Sequence, residues 1–163
     1  MPTILLDTDF LSSFLKIDCC DLVYSLYQVE QAFIPAAVHR ELAQTDLLRQ
    51  LLAIPWISVW PEEPPPSDEG LLRDPGFEAL GTGEQACILL ARSMADAVLL
   101  TSDNVDRRHA QSQGIVVVNI PAFLLACIMA GLVEPKQMAW IIEALKVKDF
   151  YEFRAEVREL LLA

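Results

Sequence analysis

The chain has 163 residues, 53% of them hydrophobic and 21% charged, with 12 Lys+Arg against 23 Asp+Glu for a formal net charge of −11. This length suits one domain, and about two-thirds of the unfolded surface of such a chain disappears on folding. The composition excludes a disordered or collagen-like chain, which lacks the apolar area to offset ordering entropy, and the charge excludes a broad basic surface that grips nucleic acid by displacing counterions.

Thr3–Leu6 is a continuous apolar run, as a strand buried on both faces requires. Thr8 and Asp9 offer capping side chains for a helix over Phe10–Leu15. A second helix is expected over about Asp21–Val29, then a short strand, Ala32–Ile34, closed by Pro35. Pro35 suits the first turn of a helix running to about Leu52, and Trp56–Trp60 has the β-branched and aromatic texture of a strand. The stretch Pro61–Gly70 is rich in proline and acid and reads as a long surface loop. Gly83-Glu84 opens a helix through Met94, and Ala97–Leu100 is an all-apolar strand that runs into Thr101-Ser102-Asp103-Asn104. A polar helix to about Gln113, a strand at Ile115–Val118, and helices over Ala122–Ala130, Pro135–Leu145 and Asp149–Leu162 follow. Short apolar strands alternating with helices predict a parallel sheet covered on both faces.

From His109 to Val133 there is no charged residue, so Ile115–Val133 is long enough to test as a membrane span. Its texture points elsewhere: Asn119 and Pro121 divide it into a buried strand and a buried helix. The N-terminal apolar run has no leading Lys or Arg and is broken by Asp7 and Asp9, unlike a secretory signal. Cys19, Cys20, Cys87 and Cys127 contain no CxxC pair, and the expectation is free thiols in a reducing cytoplasm.

In open parallel sheets ligands bind at the carboxyl ends of the strands. Asp7 directly follows the first strand, and Asp103 follows Leu100 after two polar residues. Glu41 lies on the helix after the second strand and Glu84 in the first turn of the helix before the fourth. Carboxylates brought together repel unless a cation, a proton or a basic side chain compensates, and hard oxygen ligands suit Mg²⁺ or Mn²⁺. Each acid also has a plainer reading: Asp7 and Asp103 as helix caps, Glu41 as an exposed helix residue, Glu84 as a favourable charge on a helix dipole. The functional argument rests on the four together.

The stretches ILLDTDFLSSFL (Ile4–Leu15), IPAAVHRELAQ (Ile34–Gln44), LGTGEQACILLAR (Leu80–Arg92) and LLTSDNVDRRHAQSQGIVVV (Leu99–Val118) occur in an order that resembles the PIN-domain family, especially its VapC-like, small prokaryotic branch. The tail from Ile120 resembles the helical extension of one PIN subfamily, a weaker match. The resemblance implies a three-layer α/β/α sandwich on a central parallel sheet: one domain over residues 1–163, with a core to about 120 and a helical extension over about 121–163. It implies a metal-dependent endoribonuclease using Mg²⁺ or Mn²⁺, with the acidic quartet at Asp7, Glu41, Glu84 and Asp103 and Thr101 buttressing the site. Asp7, Glu41 and Asp103 would hold one ion, and Glu84 a second, weaker ion or the attacking water.

Three positions depart from the family pattern. Glu84 stands where Asp is common, Asp9 where Asn or Ser is common, and Asn104 where a further acid is common. Asp9 is then an additional acid behind the ligands or only a cap. Arg40, Arg107 and Arg108 are the candidates for gripping RNA phosphate, since an Arg fork fits phosphate oxygens, with ion pairing to nearby acids as the plain alternative. His39 and His109 are read as solvated helix-face residues, and Asp96 precedes its strand and is the weaker ligand alternative.

The implied partners are RNA, an antitoxin protein and a second copy in a homodimer, with no membrane. Phe150, Phe153, Val157, Leu160 and Leu161 form a helical stripe that would pack on the core or on that second copy. The competing reading is a PIN fold kept as a weakly active or inactive binding module.

Overall fold

The computed structural model describes residues 2–61, 75–102 and 114–163. Among the described residues five strands form one wholly parallel sheet in the order β3-β2-β1-β4-β5: β1 (Thr3–Leu6), β2 (Ala32–Ile34), β3 (Ile57–Val59), β4 (Ala97–Leu100) and β5 (Val116–Val118). The chain lays β2 and β3 on one side of β1, then crosses to lay β4 and β5 on the other. The switch in direction therefore falls between β1 and β4, where Leu6 pairs with Leu100 and the Asp7 N–H donates to the Leu100 carbonyl at 3.0 Å. A crevice opens at the carboxyl ends of two strands that diverge in this way.

The helices of the α/β/α arrangement are α1 (Thr8–Lys16), α2 (Asp21–Tyr27), α3 (Ala36–Ala43), α4 (Leu48–Leu52), α5 (Pro75–Glu78), α6 (Thr82–Arg92), α7 (Ile120–Met129), α8 (Pro135–Asp149) and α9 (Ala155–Leu162). On α1, Phe10, Leu11, Phe14 and Leu15 share a buried face. Phe10 and Phe14 stack at 4.7 Å, and Phe123 of α7 meets both edge-on at 5.3 and 5.4 Å. Through α7 the tail joins the same core as the strands, with Leu124, Cys127, Met138, Ile141, Leu145 and Leu161 buried in it. At the far end of α1, Asp149 accepts hydrogen bonds from Ser13 Oγ and Lys16 Nζ, which clasps α8 to α1.

Several expected boundaries move, each for a local reason. Asp7, not Thr8 or Asp9, caps α1: its Oδ1 accepts from Phe10 N at 2.8 Å. The helix expected from Pro35 to Leu52 is two helices, because Thr45 Oγ1 bonds to the Leu42 carbonyl at 2.7 Å and accepts from Leu47 N at 3.2 Å. Such local bonds compete with the helical ladder. The second helix stops at Tyr27, where Gln28 turns left-handed at φ 51°. The helix expected over Asp149–Leu162 begins only at Ala155. Asp149 instead ends α8, Phe150 adopts a left-handed φ of 54°, and the Tyr151 N–H closes the end on the Leu145 carbonyl at 3.1 Å.

The expected apolar stripe of the tail is thereby dispersed: Leu161 is buried, Phe153 and Val157 are half-buried, and Phe150 and Leu160 are exposed. In the uncharged stretch β5 is followed by α7, whose first turn Asn119 caps through Ala122 N at 3.0 Å. Among the described residues no helix is long and apolar enough to cross a membrane. All four cysteines are buried and free. The expected loop at Pro61–Gly70 and the polar helix to Gln113 lie mostly outside the described residues.

Candidate active site

Three of the four expected acids are described, and the fold brings them to one place. Asp7 leaves the carboxyl end of β1 and is 1% exposed. Glu41 lies on α3, which packs against α6, and its Oε1 accepts from the N–H of Gly83 at 2.6 Å. Glu84 follows Gly83 in the first turn of α6, and its Oε2 accepts from Gly81 N at 2.9 Å. That last contact is the reach-back half of a capping box, which Gly81 has no side chain to reciprocate.

Electrostatics give a second view of the same convergence. Burial lifts the Asp7 carboxyl well above its ordinary value of 3.8. Hydrogen bonds from Thr101 and from the Phe10 amide oppose that rise, while the charges of Asp9 and Glu84 add to it. The thiol of Cys87, one turn beyond Gly83 on α6, donates to the Leu6 carbonyl at 3.6 Å. Burial first, then the negative charges of Asp7, Glu84 and Glu41, push that thiol well above its ordinary value. One buried sulfur therefore feels all three carboxylates.

Thr101 is 1% exposed at the end of β4, with its hydroxyl on Asp7. Asp9 is exposed in the first turn of α1 and reaches Asp7 through charge alone. Arg40 is exposed on α3 beside Glu41. His39 is half-buried against Ile34 and Leu51 instead of lying on a solvated face. Asp103, Asn104, Arg107, Arg108 and His109 lie outside the described residues. A cavity of about 580 Å³ between α7 and α9 touches the site only at its border residue Ser102, and none of the three carboxylates lines it.

Two residues at the centre were not foreseen in these roles. Gly83 presents its amide to Glu41, and a Cβ there would stand 2.6 Å from Thr8 Oγ1 and 2.8 Å from Glu41 Oε1. Thr8 Oγ1 is buried without a hydrogen-bond partner, alone in this among the buried side-chain oxygens and nitrogens of the described residues. The sequence signal for Gly83 was its place before Glu84. The signal for Thr8 was its place after Asp7, which suited a cap equally well.

Among the described residues, no three His, Cys, Asp or Glu side chains form a ready-made metal cage. The donor set nevertheless fits a hard divalent cation. The carboxylates are oxygen donors gathered around one buried thiol, a buried hydroxyl beside them lacks a partner, and Gly83, without a Cβ, stands where a methyl would fill the space.

A wholly parallel α/β sheet with a buried aspartate and two half-buried glutamates near its switch point defines a class of proteins that act on ligands at the carboxyl edge. The family model described as PIN domain matches residues 3–162, and the chain belongs to the PIN domain family. PIN domains are, as a class, nucleases that use divalent metal ions. Comparison with curated proteins and with solved structures gave no match.

Proposed function

We propose that this chain is a metal-dependent endoribonuclease of the VapC-like branch that hydrolyses RNA phosphodiesters, acting as one folding unit over its whole length. The observation that carries the reading is Asp7: a carboxylate 1% exposed at the switch point, gripped by Thr101 and by Phe10 N, within the field of Glu84. A buried acid lifted in this way is costly to the isolated protein and useful to one that binds a cation.

Asp7, Glu41, Glu84 and Asp103 would hold Mg²⁺ or Mn²⁺. Such an ion lowers the pKa of a water and stabilises the charge that grows on a phosphate. The chain's own residues supply the rest. Thr101 and Phe10 N fix the Asp7 carboxylate, Gly83 N fixes that of Glu41, and Gly81 N fixes that of Glu84. Arg40, with Arg107 and Arg108, supplies forks for the RNA phosphates beside the acids, in a chain whose net charge of −11 offers no broad basic surface. The toxin role, with an antitoxin as partner and a homodimer as the working form, rests on the resemblance to the VapC-like branch. A short neighbouring gene encoding a DNA-binding partner would support it, and the absence of one would count against it.

The purified protein with Mn²⁺ is expected to cut RNA, and Asp7→Asn and Asp103→Asn to abolish the cut. Cleavage that survives in both variants, or proceeds fully in EDTA, overturns the mechanism. Folded wild type that binds Mn²⁺ without cutting RNA favours the binding module.

A further inference from the structure

Thr8 opens α1, yet the cap of that helix belongs to Asp7. Its hydroxyl therefore has no structural duty at the helix end. A buried hydroxyl without a partner destabilises the fold, and native proteins keep one where water, an ion or a functional group completes it. Thr8 Oγ1 lies over the same face of Gly83 as Glu41 Oε1, the two oxygens standing 2.6 and 2.8 Å from the point a Cβ would occupy. Oxygens that close to one point are near enough for a small side-chain rotation to bring the hydroxyl onto the carboxylate. A carboxylate has about four acceptor sites, so Glu41 retains capacity beyond the bond from Gly83 N. Glu41 also reaches the site on a long side chain, whose rotamer freedom opposes a fixed position, and a second donor helps to fix it.

We propose that Thr8 is a positioning residue of the acidic centre: its hydroxyl donates to the Glu41 carboxylate and holds it toward Asp7 when the centre carries a divalent cation. The inference rests on the metal-dependent reading above. It ties the helix that Asp7 caps to the acid on α3, so that two of the ligands are set relative to each other by a contact that neither supplies itself. Groups of this kind behind a metal ligand commonly change metal affinity by about 10–100-fold when removed.

The test uses the full chain without RNA and Mn²⁺ as the probe, with affinity read by calorimetric titration and metal-free stability by thermal unfolding in EDTA. Thr8→Val keeps the shape and removes the hydroxyl, so its Mn²⁺ affinity is expected to fall about tenfold or more, while Thr8→Ser stays within about threefold of wild type. In EDTA, Thr8→Val is expected to melt at or above the wild-type temperature, because an unpartnered hydroxyl has been replaced by a methyl. A purely structural Thr8 would move the metal-free melting temperature and leave Mn²⁺ binding alone. Equal Mn²⁺ affinity in wild type and Thr8→Val overturns the inference while the metal centre stands. Thr8→Ser as weak as Thr8→Val also overturns it. Wild type that binds no Mn²⁺ overturns the underlying reading, and this inference with it.

Discussion

Replacing Gly83 with alanine separates the stability of the fold from the competence of the acidic centre. A Cβ at this position stands 2.6 Å from Thr8 Oγ1, 2.8 Å from Glu41 Oε1 and 3.1 Å from Glu41 Cδ. Relaxed contacts with carbon begin near about 3.5 Å, so both oxygens must retreat by roughly 0.7–0.9 Å. Glu41 Oε1 is the far end of a long side chain and yields easily, whereas Thr8 Oγ1 sits on the Cβ of a residue stiff at χ1, which places the overpacking cost near the middle of about 1–3 kcal/mol. Alanine returns up to about 1 kcal/mol of helix propensity in α6. The net change in stability is therefore within about 1 kcal/mol of zero, or roughly 2–4 °C in Tm for a chain of this size.

The same retreat lengthens and weakens the 2.6 Å bond from Gly83 N to Glu41. A cation at about a hundred times its Kd stabilises the native state by about 2.7 kcal/mol, and a tenfold loss of affinity leaves roughly half of that. The assay is thermal unfolding of both proteins in EDTA and at one Mn²⁺ concentration about a hundredfold above the wild-type Kd. Wild type is expected to gain roughly 5–10 °C, and Gly83→Ala about half as much or less. An undiminished shift in the variant refutes the claim that Gly83 holds Glu41 for a cation. A loss of more than about 10 °C in EDTA refutes the claim that the crowded side chains can yield.

Two further outcomes follow from the same geometry. The carboxyl of Asp7 is raised by burial, so its contribution to stability is fully present below its ordinary value of 3.8 and is lost as pH rises through the elevated folded value. In EDTA, urea unfolding across that range should therefore show wild type losing stability with rising pH, and Asp7→Asn losing less; parallel pH profiles for the two proteins count against a buried, destabilising carboxylate. At the other end of α1, Ser13→Ala removes the hydroxyl that bonds to Asp149 and is expected to cost about 1.5–3 kcal/mol in denaturant unfolding, with Mn²⁺ affinity unchanged. A loss below about 0.5 kcal/mol would show that the Lys16 contact alone holds the clasp.

What the sequence made legible depended on the range of the deciding interaction. β1 and β4 are short apolar runs between polar ends, and their pattern alone marks them as central strands of a parallel sheet. The ends of α3 and α8 were not legible in the same way. Each is decided by one local competitor, the Thr45 hydroxyl or the left-handed Phe150, that leaves the apolar pattern intact. At the site, Asp7 was visible from its place after β1, and Glu41 and Glu84 chiefly through the family motifs. The contact between Gly83 and Glu41 was not visible, because it joins residues 42 apart in the chain and uses a main-chain amide that no residue type announces. The orphaned hydroxyl of Thr8 was hidden for the opposite reason. A threonine beside a helix start has an ordinary local explanation, and only the bond from Phe10 N to Asp7 removes it.

For two of the three described acids, capping and ion binding looked like rival explanations in the sequence, and the geometry makes them one arrangement. Asp7 accepts from Phe10 N at the start of α1, Glu84 from Gly81 N at the start of α6, and Glu41, on another helix, from Gly83 N in the first turn of α6. All three are thus tied to main-chain amides at the positive end of a helix, where a carboxylate is favoured by the dipole. That favour is what allows acids to gather at the switch point of the sheet before any cation arrives. It is incomplete, because the Asp7 carboxyl remains raised despite two hydrogen bonds. The amides therefore do two things at once: they lower the cost of the cluster enough for the chain to fold, and they fix the direction of each carboxylate. The remaining cost, burial first and the charges of Asp9 and Glu84 after it, is the part that a divalent cation relieves, and it gives the metal-free protein a reason to bind one.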